Sequence, residues 1–296
     1  MIPEKPESMY PWWPYQALAA WESRLGLSAE RKGGAWFFLY EFVRFGVKQA
    51  WACLFGGLML ALLIGTHLWY PKEALLPRYD FIVIASILIQ AMMLALRMET
   101  WEEAKVILIF HITGTVMEVF KTHMGSWQYP EAGYLKIGGV PLFSGFMYAS
   151  VGSYIARVWR LFDFHFSHHP RFRTSVALSA AIYINFFTHH YFHDFRWIIL
   201  AVLVVYFHKT WIYFRIRRRY WRMPLLLGFF LTTLFIWLAE NIGTFTNAWL
   251  YPNQLRGWRM VSTGKLVSWY MLMIISYVMV SFVNKPLAWK GSMRSP

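Results

Sequence analysis

The chain has 296 residues, 57% of them hydrophobic and 20% aromatic, and only 15% charged. A soluble domain carries about 25% charge, and here the apolar residues fall in unbroken blocks such as "FIVIASILIQAMMLALR" (81–97) rather than in stripes, which excludes an ordinary water-soluble globule. Cys53 is the only cysteine, which excludes an intrachain disulfide and a cysteine-based metal cage, and it reads as a packing residue.

Residues 1–49 read as an interfacial amino-terminal segment, with an amphipathic helix over 14–32 lying on the membrane and no secretory signal peptide. Since about 20 apolar residues cross a bilayer, the blocks that follow predict spans at 50–69, 81–96, 106–123, 140–159, 174–190, 197–214, 224–244 and 263–283, and a cytoplasmic tail over 285–296. The fifth is the most polar, with Ser179 and Asn185 inside it. The expected fold class is therefore all-α, a polytopic transmembrane helix bundle of about eight spans. With both termini on one side, 21 of the 29 Lys and Arg fall on that side and 7 on the other, with Lys265 in the eighth span. The positive-inside rule makes the richer side cytoplasmic.

The net charge of +14 needs no nucleic-acid partner. "RIRRRYWR" (215–222) connects two spans and reads as an anchor on anionic membrane lipid.

Two phrases stand 122 residues apart: "EVFKTHMGSWQYP" (118–130) and "ENIGTFTNAWLYP" (240–252). They share Glu118/Glu240, Thr122/Thr244, Trp127/Trp249, Tyr129/Tyr251 and Pro130/Pro252. At the same offset Thr66-His67 matches Thr188-His189, Arg97 matches Arg219 and Tyr148 matches Tyr270. Interfacial belts explain Trp and Tyr at helix ends, but not Glu, Thr and Pro in register. The expectation is an internal duplication, 50–160 and 174–284, each copy with four spans. An even number of spans makes the copies parallel repeats about an axis along the membrane normal.

His111, Thr115, Glu118 and Thr122 share one helical face. With Glu240, Thr244, His67 and His189 they converge on an expected outer-leaflet pocket, walled by Trp127, Tyr129, Trp249 and Tyr251. A carboxyl group in hydrocarbon is costly and usually faces a cavity. Glu118 and Glu240 are the candidate catalytic acids or bases and His111 a relay; the other nine are candidate substrate-binding residues. The competing reading is structural, the acids bonding neighbouring helices and Thr115, Thr122 and Thr244 bonding across helices.

"HFSHH" (165–169) and "HHYFH" (189–193) have the spacing of membrane di-iron desaturase boxes. In this topology they lie at opposite ends of the fifth span, roughly 25 Å apart, so His165, His168 and His169 read as solvated loop residues. His190, His193 and Asp194 keep the option of a metal at the outer surface. No metal and no cofactor are expected.

The stretches "EFVRFGVKQAWACLFGG", "AKVILIFHITGTVMEVFKTHMGSWQYPEAGYLKIGGVPLFSGFMYASVGSY", "NFFTHHYF" and "MPLLLGFFLTTLFIWLAENIGTFTNAWLYP" resemble the YoaT-like bacterial integral membrane proteins, a domain of unknown function, over roughly 35–284. The resemblance implies the bacterial inner membrane and carries no activity with it. A fainter similarity, on Glu118 and the Gly139–Leu142 turn, is to carotenoid hydratases and small membrane lycopene cyclases; the acidic pair of the lycopene cyclases is absent. The function these residues point to is an intramembrane enzyme doing acid/base chemistry on a lipophilic molecule, isoprenoid or lipid. A small-solute transporter, a di-iron oxygenase and a non-catalytic scaffold are the alternatives.

Overall fold

The computed structural model describes residues 24–71, 73–217 and 219–290. The chain divides into two compact units, 1–49 and 50–296. Of the expected interfacial helix, 14–23 lies outside the described residues. Its remainder, α1 (24–32), is helical and ends at Gly33, where φ is +62°. α2 (Gly34–Ala52) follows.

The second unit continues with α3 (Leu54–Trp69), α4 (Arg78–Ala95), α5 (Trp101–His123), a small hairpin of β1 (Lys136–Ile137) and β2 (Val140–Pro141), α6 (Phe143–Phe162), β3 (His165–Ser167) and α7 (Phe172–Thr188). Then come α8 (Arg196–Phe207), β4 (Trp211–Arg215), β5 (Tyr220–Pro224), α9 (Leu225–Phe245), α10 (Lys265–Val283) and β6 (Leu287–Ala288). Among the described residues α4, α9 and α10 are long and apolar enough to cross a membrane. α2 and α3, broken at Cys53, pass that test only as a pair, which makes up to four. Large apolar side chains stand exposed along these helices, Trp69, Leu88 and Phe235 among them, as expected of faces made for hydrocarbon.

The expectation of an all-α chain is corrected. Four strands form one sheet in the order β5-β4-β3-β6, with β4 antiparallel to β5 and β3 and β6 parallel to β3. The sixth expected span, 197–214, is likewise not one helix: α8 has 12 residues, about 18 Å. The reason lies in "WIYFRI", whose alternation has a period of two. Ile212, Phe214 and Ile216 are buried while Trp211, Tyr213 and Arg215 are half-exposed. Part of the supposed anchor at 215–222 is therefore strand.

Inside the bundle α5 lies against α6, and glycines set how close they come. A methyl group at Gly145 would sit 2.7 Å from the His111 carbonyl oxygen, and one at Gly152 would sit 2.6 Å from the Phe110 ring. Only a residue without Cβ permits that approach. The main core gathers Phe55, Phe110, Trp159, Phe207 and Tyr277. A second cluster, Leu63, Tyr79, Phe143 and Trp249, lies under the site described below.

Within the second unit a polar knot ties Trp51, α4, α5 and α6 together. Arg157, fully buried, donates to the carbonyls of Trp51 (2.9 Å) and Met98 (3.0 Å) and pairs with Glu99 at 3.2 Å. Ser153 and Gln90 complete the Glu99 carboxylate. Thr100 and Glu103 cap α5 reciprocally.

Removing one member of a buried ion pair leaves an uncompensated charge. Arg157→Met is expected to cost roughly 3–5 kcal/mol, and Glu99→Leu added to it to recover most of that. Thermal or denaturant unfolding of the purified protein in mild detergent checks both.

Candidate functional site

Glu118 lies in the penultimate turn of α5, where the helix is about to end. The backbone N–H groups of Met124, Gly125 and Ser126 bond back to the carbonyls of Phe120, Thr122 and Lys121. Gly125, at φ +67°, reverses the chain. The returning segment brings Trp127 Nε1 and the Tyr129 hydroxyl to Glu118 Oε2, each donating at 2.6 Å. Tyr148 on α6 donates to Oε1 at 2.7 Å.

The same construction closes α9. Thr246, Asn247 and Ala248 bond back to Ile242, Thr244 and Gly243, each position 122 residues after its counterpart. Asn247 takes the left-handed conformation, φ +55°, that Gly125 takes after α5; asparagine tolerates it better than most residues. Trp249 Nε1 donates to Glu240 Oε1 at 3.0 Å and Tyr251 at 2.6 Å. The two returning segments then pair with each other. Gln128 and Leu250, again 122 apart, exchange both backbone hydrogen bonds at 2.9 Å. Trp127 meets Tyr251 edge to face across the junction.

Burial, then the neighbouring carboxylates, push the Tyr129 and Tyr251 phenols far above their usual range. They therefore stay protonated and remain donors.

The start of α4 holds the first returning segment from behind. Asp80 accepts from the N–H groups of Tyr134 and Leu135, both at 2.8 Å. Tyr79 donates to the Ala248 carbonyl at 3.0 Å, and Arg78 to that of Thr246 at 2.9 Å while it pairs with Glu131. Sequence reasoning passed over "RYD"; the signal was three polar residues opening an apolar block.

Beside the paired segments lies a cavity of about 330 Å³. Trp127 and Tyr148, which hold Glu118, line it together with Tyr251, which holds Glu240. Both carboxylates thus stand one side chain behind its wall, within electrostatic reach of each other. Lys121, Arg196, Lys265 and His189 also line it. Lys121 Nζ lies 2.8 Å from His190 Nε2 and 3.4 Å from His189 Nε2.

Of the residues expected at the site, the structure joins Glu118 to Trp127 and Tyr129, and Glu240 to Trp249 and Tyr251. His189 is in the cavity wall. The others lie elsewhere. His67 is exposed beside Phe245. Thr122 lines a separate open groove with Val119 and Phe187, its hydroxyl without a partner. His111 stands two turns from Glu118, its ring against Phe146 and its Nδ1 unpartnered. The threonines do not bridge helices. Thr115 bonds back to His111 O, and Thr244 bonds back to Asn241 O and accepts from Trp258. Tyr148, the third donor to Glu118, was visible in the sequence only as a repeat match.

The first histidine box is not solvated loop throughout. His165 is buried in β3, and His169 Nε2 lies 2.7 Å from the Tyr277 hydroxyl. In the second box the Lys121 ammonium takes the position between His189 and His190 that a metal ion would need. Asp194 pairs with Arg196 and accepts from Asn185. Among the described residues no three His, Cys, Asp or Glu are grouped as metal ligands.

Fold and site together define a class: a mostly helical protein, with helices able to cross a membrane, that buries two aromatic-capped glutamates beside a polar cavity. The chain belongs to the family described as "Protein of unknown function (DUF817)", which matches residues 41–277. It is 47% identical over 245 residues to "Uncharacterized protein YoaT" of Bacillus subtilis (strain 168), covering 83% of this chain and 92% of that protein. The YoaT-like resemblance is thereby borne out. No solved structure matches.

A methyl group at Gly243 would lie 2.1 Å from the Trp249 ring, and one at Gly114 would lie 2.6 Å from Tyr148. Gly243→Ala and Gly114→Ala are expected to cost about 1–3 kcal/mol each by overpacking. Gly57→Ala, with nothing within 4 Å, should gain roughly 0.5–1 kcal/mol through helix preference. Thermal midpoints in detergent distinguish these outcomes.

Proposed function

We propose that the protein is a multi-pass membrane enzyme that relocates protons on a lipophilic or amphiphilic substrate, isoprenoid or lipid, held in the 330 Å³ chamber. The observation that carries this reading is that Tyr148 and Tyr251 line one cavity while the hydroxyl of each donates to a buried carboxylate. A proton leaving the substrate passes to the Tyr148 oxygen as that phenol's own proton moves to Glu118. The tyrosine ends neutral and Glu118 ends protonated. The reverse sequence at Tyr251 starts from a Glu240 protonated on Oε2, the oxygen that accepts neither aromatic donor, and delivers a proton elsewhere on the substrate; return of a proton from Glu118 to Glu240 through water then resets the pair. Removal at one point and delivery at another leaves the composition unchanged, the balance of an isomerisation. Positioned acid–base groups of this kind contribute about 10²–10⁴-fold.

Two equivalent four-segment halves, 50–160 and 174–284, are the architecture we infer. Its support is the set of matched contacts at Glu118/Glu240, Gly125/Asn247 and Gln128/Leu250. Thr66 and Thr188 add to it by bonding back to Leu62 and Ile184 in the same way. The sheet gathers the chain after α6, α8 and α10, the connections that the Lys and Arg distribution assigns to the cytoplasm. In that topology both termini are cytoplasmic, α8 plus the extended residues after it make the sixth crossing, and the chamber opens toward the outer leaflet of the bacterial inner membrane.

Transport is the second reading, favoured by the reciprocal Gln128–Leu250 pair, a junction about which equivalent halves can move.

Lipid extracts of cells lacking the protein, and of those cells carrying the wild type, Glu118→Gln or Glu240→Gln, are to be compared by mass spectrometry. The enzyme reading predicts a species altered in the deletion, restored by the wild type and not restored by either variant present at normal abundance. Identical extracts with and without the protein contradict it and favour transport.

A further inference from the structure

We infer that the chamber recognises the anionic head of an amphiphile, a phosphate ester on a short or partly inserted hydrocarbon chain. This assignment names the substrate class for the proposed site and so rests on that reading. Its first support is the charge of the wall. Lys121, Arg196 and Lys265 line the cavity within electrostatic reach of one another, and among the described residues no carboxylate lines it. The nearby acids give these cations no hydrogen bond except at Arg196: Glu118 and Glu240 accept from phenols and indoles and act on Lys265 only through space, and Asp194 pairs with Arg196 and accepts from Asn185.

Two donors have no polar partner. Trp269 Nε1, in the cavity wall, is buried without a hydrogen bond. The Lys265 ammonium rests on aromatic faces, 4.4 Å from the centre of the Tyr251 ring and 5.7 Å from that of Trp127. It makes no hydrogen bond or ion pair among the described residues. A half-buried cation and a buried N–H left this way are costly unless a ligand completes them.

The apolar part of the wall lies deeper along the same helices. Met117 is one turn before Lys121 on α5, and Ile182 lies two turns before His189, just beyond the end of α7. Met271 and Ile275 come two to three turns after Lys265 on α10, which runs the opposite way. Cations at one level and aliphatic side chains below them fit a charged head with a carbon chain. At 330 Å³ the space is near the lower limit of ligand pockets, enough for a head group and its first carbons.

Purified protein in nonionic detergent is titrated with hexyl phosphate, hexyl phosphocholine and inorganic phosphate, with binding read by thermal shift and calorimetry. The inference predicts saturable binding of hexyl phosphate and much weaker binding of the other two. Lys265→Met should weaken hexyl phosphate on the order of tenfold or more, the value of a charge-assisted hydrogen bond, and Lys265→Arg should restore it. Equal affinity for inorganic phosphate would overturn the lipid assignment in favour of free phosphate. Equal affinity for the phosphocholine, or no effect of Lys265→Met in a protein of unchanged thermal midpoint, would overturn anion recognition. Glu118→Gln should still bind hexyl phosphate, because that acid is not in the wall. A failure of the acid–base reading would therefore appear as normal binding with no change in cellular lipids.

Discussion

A carboxylate buried at the end of an apolar helix is tolerable only if donors reach it, and here the chain that leaves the helix supplies them. Glu118 receives three hydrogen bonds and Glu240 two, all from aromatic side chains. Bonds to a charged group are each worth about 1.5–3 kcal/mol net, comparable with the cost of placing a glutamate among apolar helices. Everything else at this end of the bundle serves that interaction. The left-handed residue at Gly125 or Asn247 sets the return angle, and Asp80, Tyr79 and Arg78 fix the returning chain. Each returning segment also finds its missing backbone partners in the other, at Gln128 and Leu250.

On this shared frame a few positions differ, and the differences make the cavity. Position 243 is glycine, and the Trp249 ring lies against it. The counterpart, position 121, is a buried lysine directed at His189 and His190. Phe143 meets Tyr129 edge to face, whereas its counterpart Lys265 sets a charge over Tyr251. Tyr148 bonds Glu118, whereas Tyr270 bonds the Leu226 carbonyl. Lys121, Lys265 and Tyr148 all line the cavity. If the proposed function holds, two like helix ends with different neighbours suit a site that must tell the two ends of a ligand apart.

The glutamate sites were legible in the sequence because a helix end and a tight return fix the spacing. Donors nine and eleven residues after the acid can reach it with little help from the rest of the chain. Most of the helices were legible from their apolar blocks to within about five residues at each end, but α2 was not, and of the eight expected spans only α4, α9, α10 and the bent α2–α3 pair are long and apolar enough to cross a membrane among the described residues. The sheet was not, since "WIYFRI" is apolar enough to pass as part of a span and its period of two covers only six residues. Nor was the Arg157–Glu99 pair or the "RYD" clamp, because each depends on chain segments far apart in sequence. Periodicity placed His111 on the face of Glu118. It could not say that Tyr148, entering from α6, would be the third donor to Glu118 while the His111 ring packs against Phe146.

The central claim is that two equivalent glutamate units meet through their returning segments. The most direct measurement is oxidative cross-linking of Gln128→Cys with Leu250→Cys in a Cys53→Ser background. Residues that exchange both hydrogen bonds in an antiparallel pair have Cα atoms about 5.5 Å apart, inside the range a disulfide requires. The account predicts a disulfide-linked peptide joining positions 128 and 250 within a single chain, formed under mild oxidation in native membranes. Free thiols at both positions in folded protein, or links only between chains, would contradict it.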